Sequence, residues 1–425
     1  MVRPQTEQQL NALRRLREAD FVGRVEAVGF PVRVVIPPDV DFDQFLISND
    51  LTQNSELIEE NLQRVVDEER LLMKGRFKFR RYMHSAELTV DQYHSYKEIG
   101  NWLKAVRKAF PEIVRLLRIG RTHQGRDLTV IKIGKPGRRK PAFWIDAGIH
   151  PREWISPASA VYFLHDIITK YKTDYKYRDL LNNVDFYVLP LANPDGYEYS
   201  RKADRFYRTN RKPCFKLNGE QCCKGVDLNR NFPYKWGALN DQRSSECGGT
   251  YRGPAPNSEP ETQSITRFLR NNLRKIKAMV TVHSFQRNIL YSYSYSKQEI
   301  PDNKRELVDV GKEMASAIRS ASGVDYVVKS SADFGYLAAG LSDDWAKHIG
   351  IRFVYCIELS PGPDVRGTDG FVLPPRQIPQ VDQEASVLCS ACYQPVLRFL
   401  RITPTSNHWR GGRFGESSGR RKGKR

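Results

Sequence analysis

Several features are missing from this 425-residue sequence. It has no run of about 18 apolar residues, so no segment reads as a membrane-spanning helix. Its first residues, Met1-Val2-Arg3-Pro4-Gln5-Thr6, are polar and lack the apolar core of a secretory signal. It has no internal repeat, which argues against a solenoid or a propeller. Acidic residues are in deficit, with 49 Asp and Glu against 68 Lys and Arg, for a formal charge of +19. The excess is uneven: the last 22 residues, from Pro404, carry seven Lys or Arg and one Glu. The remainder reads as a soluble basic surface, with no dedicated nucleic-acid partner and no membrane partner. The Gly-, Ser- and Arg-rich tail reads as disordered.

What is present suits a globular chain. Hydrophobic residues make up 40% and aromatics 11%, and the length allows one large domain or two to three ordinary ones. Of seven cysteines, Cys214, Cys222, Cys223 and Cys247 cluster amid Gly, Asn and Lys. Such clustering suggests loops stapled in an oxidising compartment, hence a secreted protein, although the N-terminus shows no signal.

Residues 1 to 81 read as a unit of their own. Phe30 to Pro37 alternates like an edge strand between prolines, Asp41 to Leu46 reads as a short helix, and Ile58 to Arg70 as an amphipathic helix. Lys74 to Arg81 is basic and contains Gly75, which predicts a hinge and a cut site for a protease of basic specificity. A helix is predicted from Tyr93 to Phe110. Strands are predicted over Ile113–Ile119, Leu128–Ile133, 142–149 and Val184–Pro190, with a helix opening at Pro157. Strands alternating with helices define an α/β domain: a single large domain with a mixed, largely parallel central sheet flanked by helices. The small unit before it is α+β. The predicted domains are 1–81, 82–403 and 404–425.

In parallel sheets ligands gather at the C-terminal strand ends. The apolar run Ala142 to Ala147 stops just before His150-Pro151-Arg152-Glu153. Imidazole nitrogen and carboxylate oxygen both suit zinc, and a separation of three residues brings them to one side. A pair of this kind carries little weight alone. His283 closes a second apolar run, Ile276 to Val282, and supplies a third ligand candidate. Three protein ligands leave a fourth position for water, whose pKa zinc lowers to about 7. Glu358 follows the apolar run Ile351 to Ile357. A glutamate there is costly unless paired or at a site, which makes it the candidate base.

Taken together, these motifs resemble the zinc metallocarboxypeptidases of the digestive A/B type. They are His150-Pro151-Arg152-Glu153, Val226-Asp227-Leu228-Asn229-Arg230-Asn231-Phe232, His283-Ser284-Phe285, Tyr336 to Trp345, and Ile357-Glu358-Leu359. The resemblance spans about Tyr82 to Arg401, and the first 81 residues resemble the C-terminal part of that family's propeptide. It implies a zymogen carrying one Zn²⁺ on His150, Glu153 and His283, which removes C-terminal residues from peptides and proteins. Glu358 would be the base and Arg208 the oxyanion-side cation. Asp227 would orient a histidine ligand, and Asn229 and Arg230 would hold the terminal carboxylate. Tyr336 would close over the substrate, and Arg152 would add positive charge beside the metal. Ser284, Phe285 and Ser294 would line the cleft.

Asp343 falls where B-type enzymes have an aspartate, which implies preference for C-terminal Lys or Arg. Asp344 beside it is expected to be structural. Ser294 falls where B-type enzymes have a small polar residue. The resemblance also implies a Cys223–Cys247 disulfide and makes Cys214 with Cys222 a candidate staple. Cys356 is expected to be a buried free thiol, and Cys389 and Cys392 to be core on a helix.

Departures from the pattern are Leu341 for glycine, Phe285 for tyrosine, Tyr207 for tryptophan, and the absence of early propeptide strands before Phe30. Leu341 keeps open an apolar or broad specificity. A non-catalytic binding protein on the same scaffold, or a polyanion binder acting through the tail, are further readings. The expected partners are peptide or protein C-termini and an activating protease of basic specificity, with the chain a monomer.

Overall fold

The structure is a computed structural model. It describes residues 1–15, 20–22, 32–35, 41–57, 62–77, 88–89, 91–137, 140–213, 215–217, 221–223, 225–239, 249–361 and 370–399. The tail from Pro404, Cys214 and Cys247 lie outside these residues, as do the side chains of Cys222, Cys223, Cys389 and Cys392.

The N-terminal unit holds α1 (Glu7–Arg15), β1 (Asp20–Val22), β2 (Arg33–Val35), α2 (Phe42–Ser48) and α3 (Leu62–Phe77). β1 and β2 pair antiparallel, and Val2 bridges to Val32 and Ser55. Val2, Leu10, Leu13, Val32, Leu46 and Leu51 form a separate small core. Two expectations are corrected here. A helix and a strand do precede Phe30. The predicted hinge from Lys74 begins inside α3, which continues to Phe77. Lys and Arg are good helix formers, and one interior Gly costs only about 1 kcal/mol. Residues 78–81 of that segment lie outside the described residues.

The large domain opens with α4 (Tyr96–Ala109), whose Ser95 and Glu98 form a reciprocal capping box. Its buried face is Ile99, Trp102, Leu103 and Val106. There follow β3 (Val114–Arg121), β4 (Asp127–Ile133), β5 (Ala142–Ala147), α5 (Ile155–Thr173), α6 (Tyr175–Asn183), β6 (Asp185–Leu189) and α7 (Pro194–Lys202). A hairpin of β7 (Phe215–Leu217) and β8 (Gln221–Cys223) leads to α8 (Pro260–Asn272), β9 (Ile276–Ser284) and β10 (Asn288–Tyr291). The chain then forms α9 (Lys304–Ser322), β11 (Val327–Ser330), α10 (Ser342–His348), β12 (Phe353–Leu359) and α11 (Ile378–Phe399).

Eight strands make one sheet in the order β11-β10-β12-β9-β5-β6-β4-β3. The middle four pair in parallel. The flanks add antiparallel pairs, so the sheet is mixed as expected. Its central strands are buried on both faces, which explains their near-continuous apolar runs. Alternate residues feed two cores. Phe143, Ile145, Val280 and Val282 pack with α4, α5, α9 and α11 residues. Trp144 and Met279 pack on the other face with Ile265, Leu269 and Trp345. By the same alternation Asp146, Thr281, His283, Cys356 and Glu358 share the second face.

Among the described residues a buried ion pair links the two units. Arg205 Nε donates to Glu69 Oε2 of α3 at 2.7 Å, and both side chains are 2% exposed. Arg205 also donates to the main-chain oxygens of Arg152 (2.7 Å) and Phe371 (2.6 Å), and lies 3.7 Å over the Trp154 ring. Breaking a buried pair by removing one partner costs about 3–5 kcal/mol. Glu69 thus ties the N-terminal unit to the chain that carries Arg152.

Candidate active site

Gly148 turns the chain out of β5 at φ +66°, and a Cβ there would press on Leu191 at 3.2 Å. The turn delivers His150 and Glu153 to the C-terminal end of the sheet. His150 Nδ1 lies 2.8 Å from Glu153 Oε1. His283, on β9, brings its Nδ1 to 3.1 Å from Glu153 Oε2 and 3.2 Å from His150 Nδ1. All three side chains are buried.

Behind His150, Nε2 meets Asp227 Oδ1 at 3.2 Å. With that nitrogen donating, Nδ1 turns a lone pair toward another acceptor, the Glu153 carboxylate. Acceptors converge so closely only around a cation, whether protons or a metal. Two imidazoles and a carboxylate converging on one point fit zinc. Without metal, burial pushes His283 down, but the Glu153 carboxylate outweighs it and lifts His283 to about 9. Burial and Arg208 hold His150 below its ordinary value. Burial opposes ionisation of Glu153, yet the two histidines hold it well below the carboxylate range.

Asp227 is both a cap and a bridge. Its Oδ1 accepts from Asn229 N at 3.0 Å, starting the short turn Leu228–Arg230. Its Oδ2 accepts from Arg208 Nε at 2.9 Å and Nη2 at 2.8 Å. Burial would raise Asp227, but Arg208, His150 and Arg230 hold it well below the ordinary value. Arg208, predicted to face the oxyanion, is thereby fixed beside the first histidine. Arg152 stacks 4.5 Å over the Phe371 ring.

The carboxylate-anchor candidates also come together. Arg230 Nη2 donates to Tyr336 Oη at 2.7 Å, and Asn229 Oδ1 accepts from Ser342 N at 2.9 Å. Gly340, at φ +73°, makes this approach possible, since a Cβ would sit 2.3 Å from Arg230 O. β9 and β12 run in register with Glu358 opposite His283, which sets the candidate base beside the second histidine. Glu358 is 7% exposed.

Asp343, in the first turn of α10, is buried. Ser331 Oγ approaches its Oδ2 at 3.5 Å, and Oδ1 has no hydrogen-bond partner among the described residues. Burial pushes its carboxyl up. Ser292 Oγ is likewise buried with no hydrogen-bond partner among the described residues. Asp344 accepts from Ser294 N through both oxygens at 2.9 Å, the structural part expected of it. Ser284 N donates to Glu153 Oε2 at 3.2 Å, and Phe285 packs edge-on against Phe371 at 5.1 Å. Tyr207 donates to Asn210 O at 2.8 Å, so this departure from the family pattern serves the loop. Cys356 is buried with Leu290 and Phe334 in a small cluster of its own.

The sequence reading passed over Asp146, Thr281, Glu69 and Arg205. Asp146 lies inside the run read as an apolar strand. The signal available was a charged residue in the middle of that run.

These residues match a known family. Residues 99–387 match the zinc carboxypeptidase model and residues 1–69 the carboxypeptidase activation peptide. The chain therefore belongs to the zinc carboxypeptidases. Human carboxypeptidase B2 is 39% identical over 310 residues, 72% of this chain and 71% of that protein. Rat carboxypeptidase B is 40% identical over 293 residues, 69% of this chain and 68% of that protein. Bovine carboxypeptidase O is 38% identical over 295 residues, 69% and 76%. The crystal structure of thrombin activatable fibrinolysis inhibitor aligns with TM-score 0.82 at 31% identity, covering 93% of this chain and 98% of that one. Carboxypeptidase A from Helicoverpa armigera aligns with TM-score 0.84 at 27% identity, covering 94% and 97%. The chain is a zinc-dependent metallocarboxypeptidase with an activation peptide, acting on peptide C-termini. Among the described residues no helix is long and apolar enough to cross a membrane.

Proposed function

We propose that this carboxypeptidase prefers C-terminal Lys or Arg, with Glu358 as general base. The observation that carries the preference is Asp343: a buried carboxylate, one of whose oxygens has no hydrogen-bond partner among the described residues. A buried carboxylate needs a cation or a proton, and an apolar substrate side chain supplies neither. A lysine ammonium or arginine guanidinium supplies the charge.

The roles follow from the placement. His150, Glu153 and His283 hold the zinc, which supplies Lewis acidity toward water and the scissile carbonyl. Glu358 takes the proton from the attacking water and returns it to the leaving amine. Arg208, already fixed by Asp227, presents a preorganised cation to the developing oxyanion, and Arg152 adds to that field. Arg230 and Asn229 take the terminal carboxylate, with Tyr336 closing over it. Ser284, Phe285 and Ser294 line the path to Asp343.

Residues 1–81 form the activation unit, 82–403 the catalytic domain and 404–425 a basic tail. Cleavage after α3, by a protease of basic specificity, removes the Glu69 anchor. We place the chain outside the cell, as a monomer, with Cys223 paired to Cys247.

The pH dependence tests the pocket. Burial raises Asp343 above the ordinary aspartate value of about 3.9. Its charge is present above that raised pKa and lost as pH falls through it. Because kcat/KM reports the free enzyme, the ratio of kcat/KM for arginine- over leucine-terminated peptides should fall as pH drops. The fall should begin at a pH above that of an exposed aspartate. Effects on the zinc site cancel in the ratio. A ratio that is flat with pH would remove Asp343 from substrate selection.

A further inference from the structure

Behind His283 lies a group of buried side chains used in none of the roles above. β5 and β9 pair in parallel with Asp146 opposite Thr281. Thr281 and His283, two residues apart on one strand, face the same side. Thr281 Oγ1 donates to Asp146 Oδ1 at 2.7 Å, and Trp144 Nε1 donates to Asp146 Oδ2 at 2.6 Å. His283 Nε2 lies 3.4 Å from Thr281 Oγ1. None of the four side chains is more than 2% exposed, so water does not compete for these contacts.

The proton count fixes the direction. A threonine hydroxyl has one proton, and here it goes to the carboxylate. Its oxygen can then only accept from the imidazole, so Nε2 carries a hydrogen and Nδ1 is the nitrogen left to offer a lone pair to a metal. Nδ1 is the atom that faces Glu153 and His150. We infer that Thr281, backed by Asp146 and Trp144, is a positioning unit that holds His283 in its metal-binding tautomer and orientation. His150 has Asp227 for this purpose, and His283 has the Thr281–Asp146 pair. The inference rests on the assignment of His283 as a zinc ligand.

Outer partners of metal-bound histidines typically contribute about 10–100-fold in metal affinity. Thr281→Val keeps the shape and removes the hydroxyl, and Thr281→Ser restores it. The test uses the full chain, with the zinc dissociation constant read by chelator competition and the melting temperature of the metal-free protein beside it. Thr281→Val should weaken zinc about 10–100-fold, with Thr281→Ser close to the unsubstituted chain. The rise in melting temperature on adding zinc should shrink for Thr281→Val alone. If Thr281→Val fails to fold, Asp146→Asn gives the same reading from the other end, since the two donors sit on different carboxylate oxygens and the amide turns one of these into an NH2 donor. Unchanged zinc affinity in the valine or asparagine variant would overturn the inference, as would a serine variant as weak as the valine one. His283→Ala separates the two levels: if it binds zinc like the unsubstituted chain, the ligand assignment itself fails.

Discussion

Glu358→Gln is expected to lower kcat by about 10²–10⁴-fold, the usual contribution of a positioned acid–base group. Glutamine keeps the volume and polarity of the side chain but can neither take nor return a proton. Glu358 is buried at the end of β12, opposite His283. Its neighbour on that face of the strand is Cys356, two residues earlier. The zinc should remain bound at one per chain, since Glu358 is not among the ligand candidates. KM should move little, because the terminal carboxylate and side chain are held elsewhere. Steady-state kinetics with metal analysis on the same sample read this out. A glutamine variant of near-normal kcat would assign the proton transfer to another group.

Asp343→Asn is the second large effect. Truncating one member of a buried charge pair costs about 2–5 kcal/mol, and each 1.4 kcal/mol is about tenfold. The kcat/KM for arginine- and lysine-terminated peptides should fall on the order of 10²–10³-fold, while leucine-terminated peptides hold or improve. The fold should tolerate the change. In the free enzyme burial disfavours the Asp343 charge, and a neutral amide removes that cost. An equal loss on basic and apolar substrates would mean that Asp343 shapes the pocket without selecting charge. Leu341, at the N-cap of α10 and partly buried, would then become the residue to vary.

Much of this site was legible in the sequence because each part is a local signal tied to a strand end. His150, His283 and Glu358 each close an apolar run, and parallel strands place such residues at one edge. Asp227 lies one residue before the turn it caps, a place where Asp is common. What escaped was set by pairing across long separations. Glu69 and Arg205 are 136 residues apart, and Asp146 and Thr281 are 135 apart. No local pattern marks either pair. The extent of α3 escaped for a different reason. Lys74-Gly75-Arg76 looks like a linker by composition, yet helix propensity carries the chain on to Phe77. The early strand Asp20–Val22 has only three residues, too few to show an alternation.

The most direct measurement is release of the C-terminal residue from two matched peptides, one ending in arginine and one in leucine. The protein would be clipped with trypsin and assayed with and without a zinc chelator. The expected result is chelator-sensitive release of arginine, far faster than leucine. Preferred release of leucine would contradict Asp343 as the selector while leaving the zinc site standing. Release of arginine that survives complete removal of zinc would contradict the account at its centre.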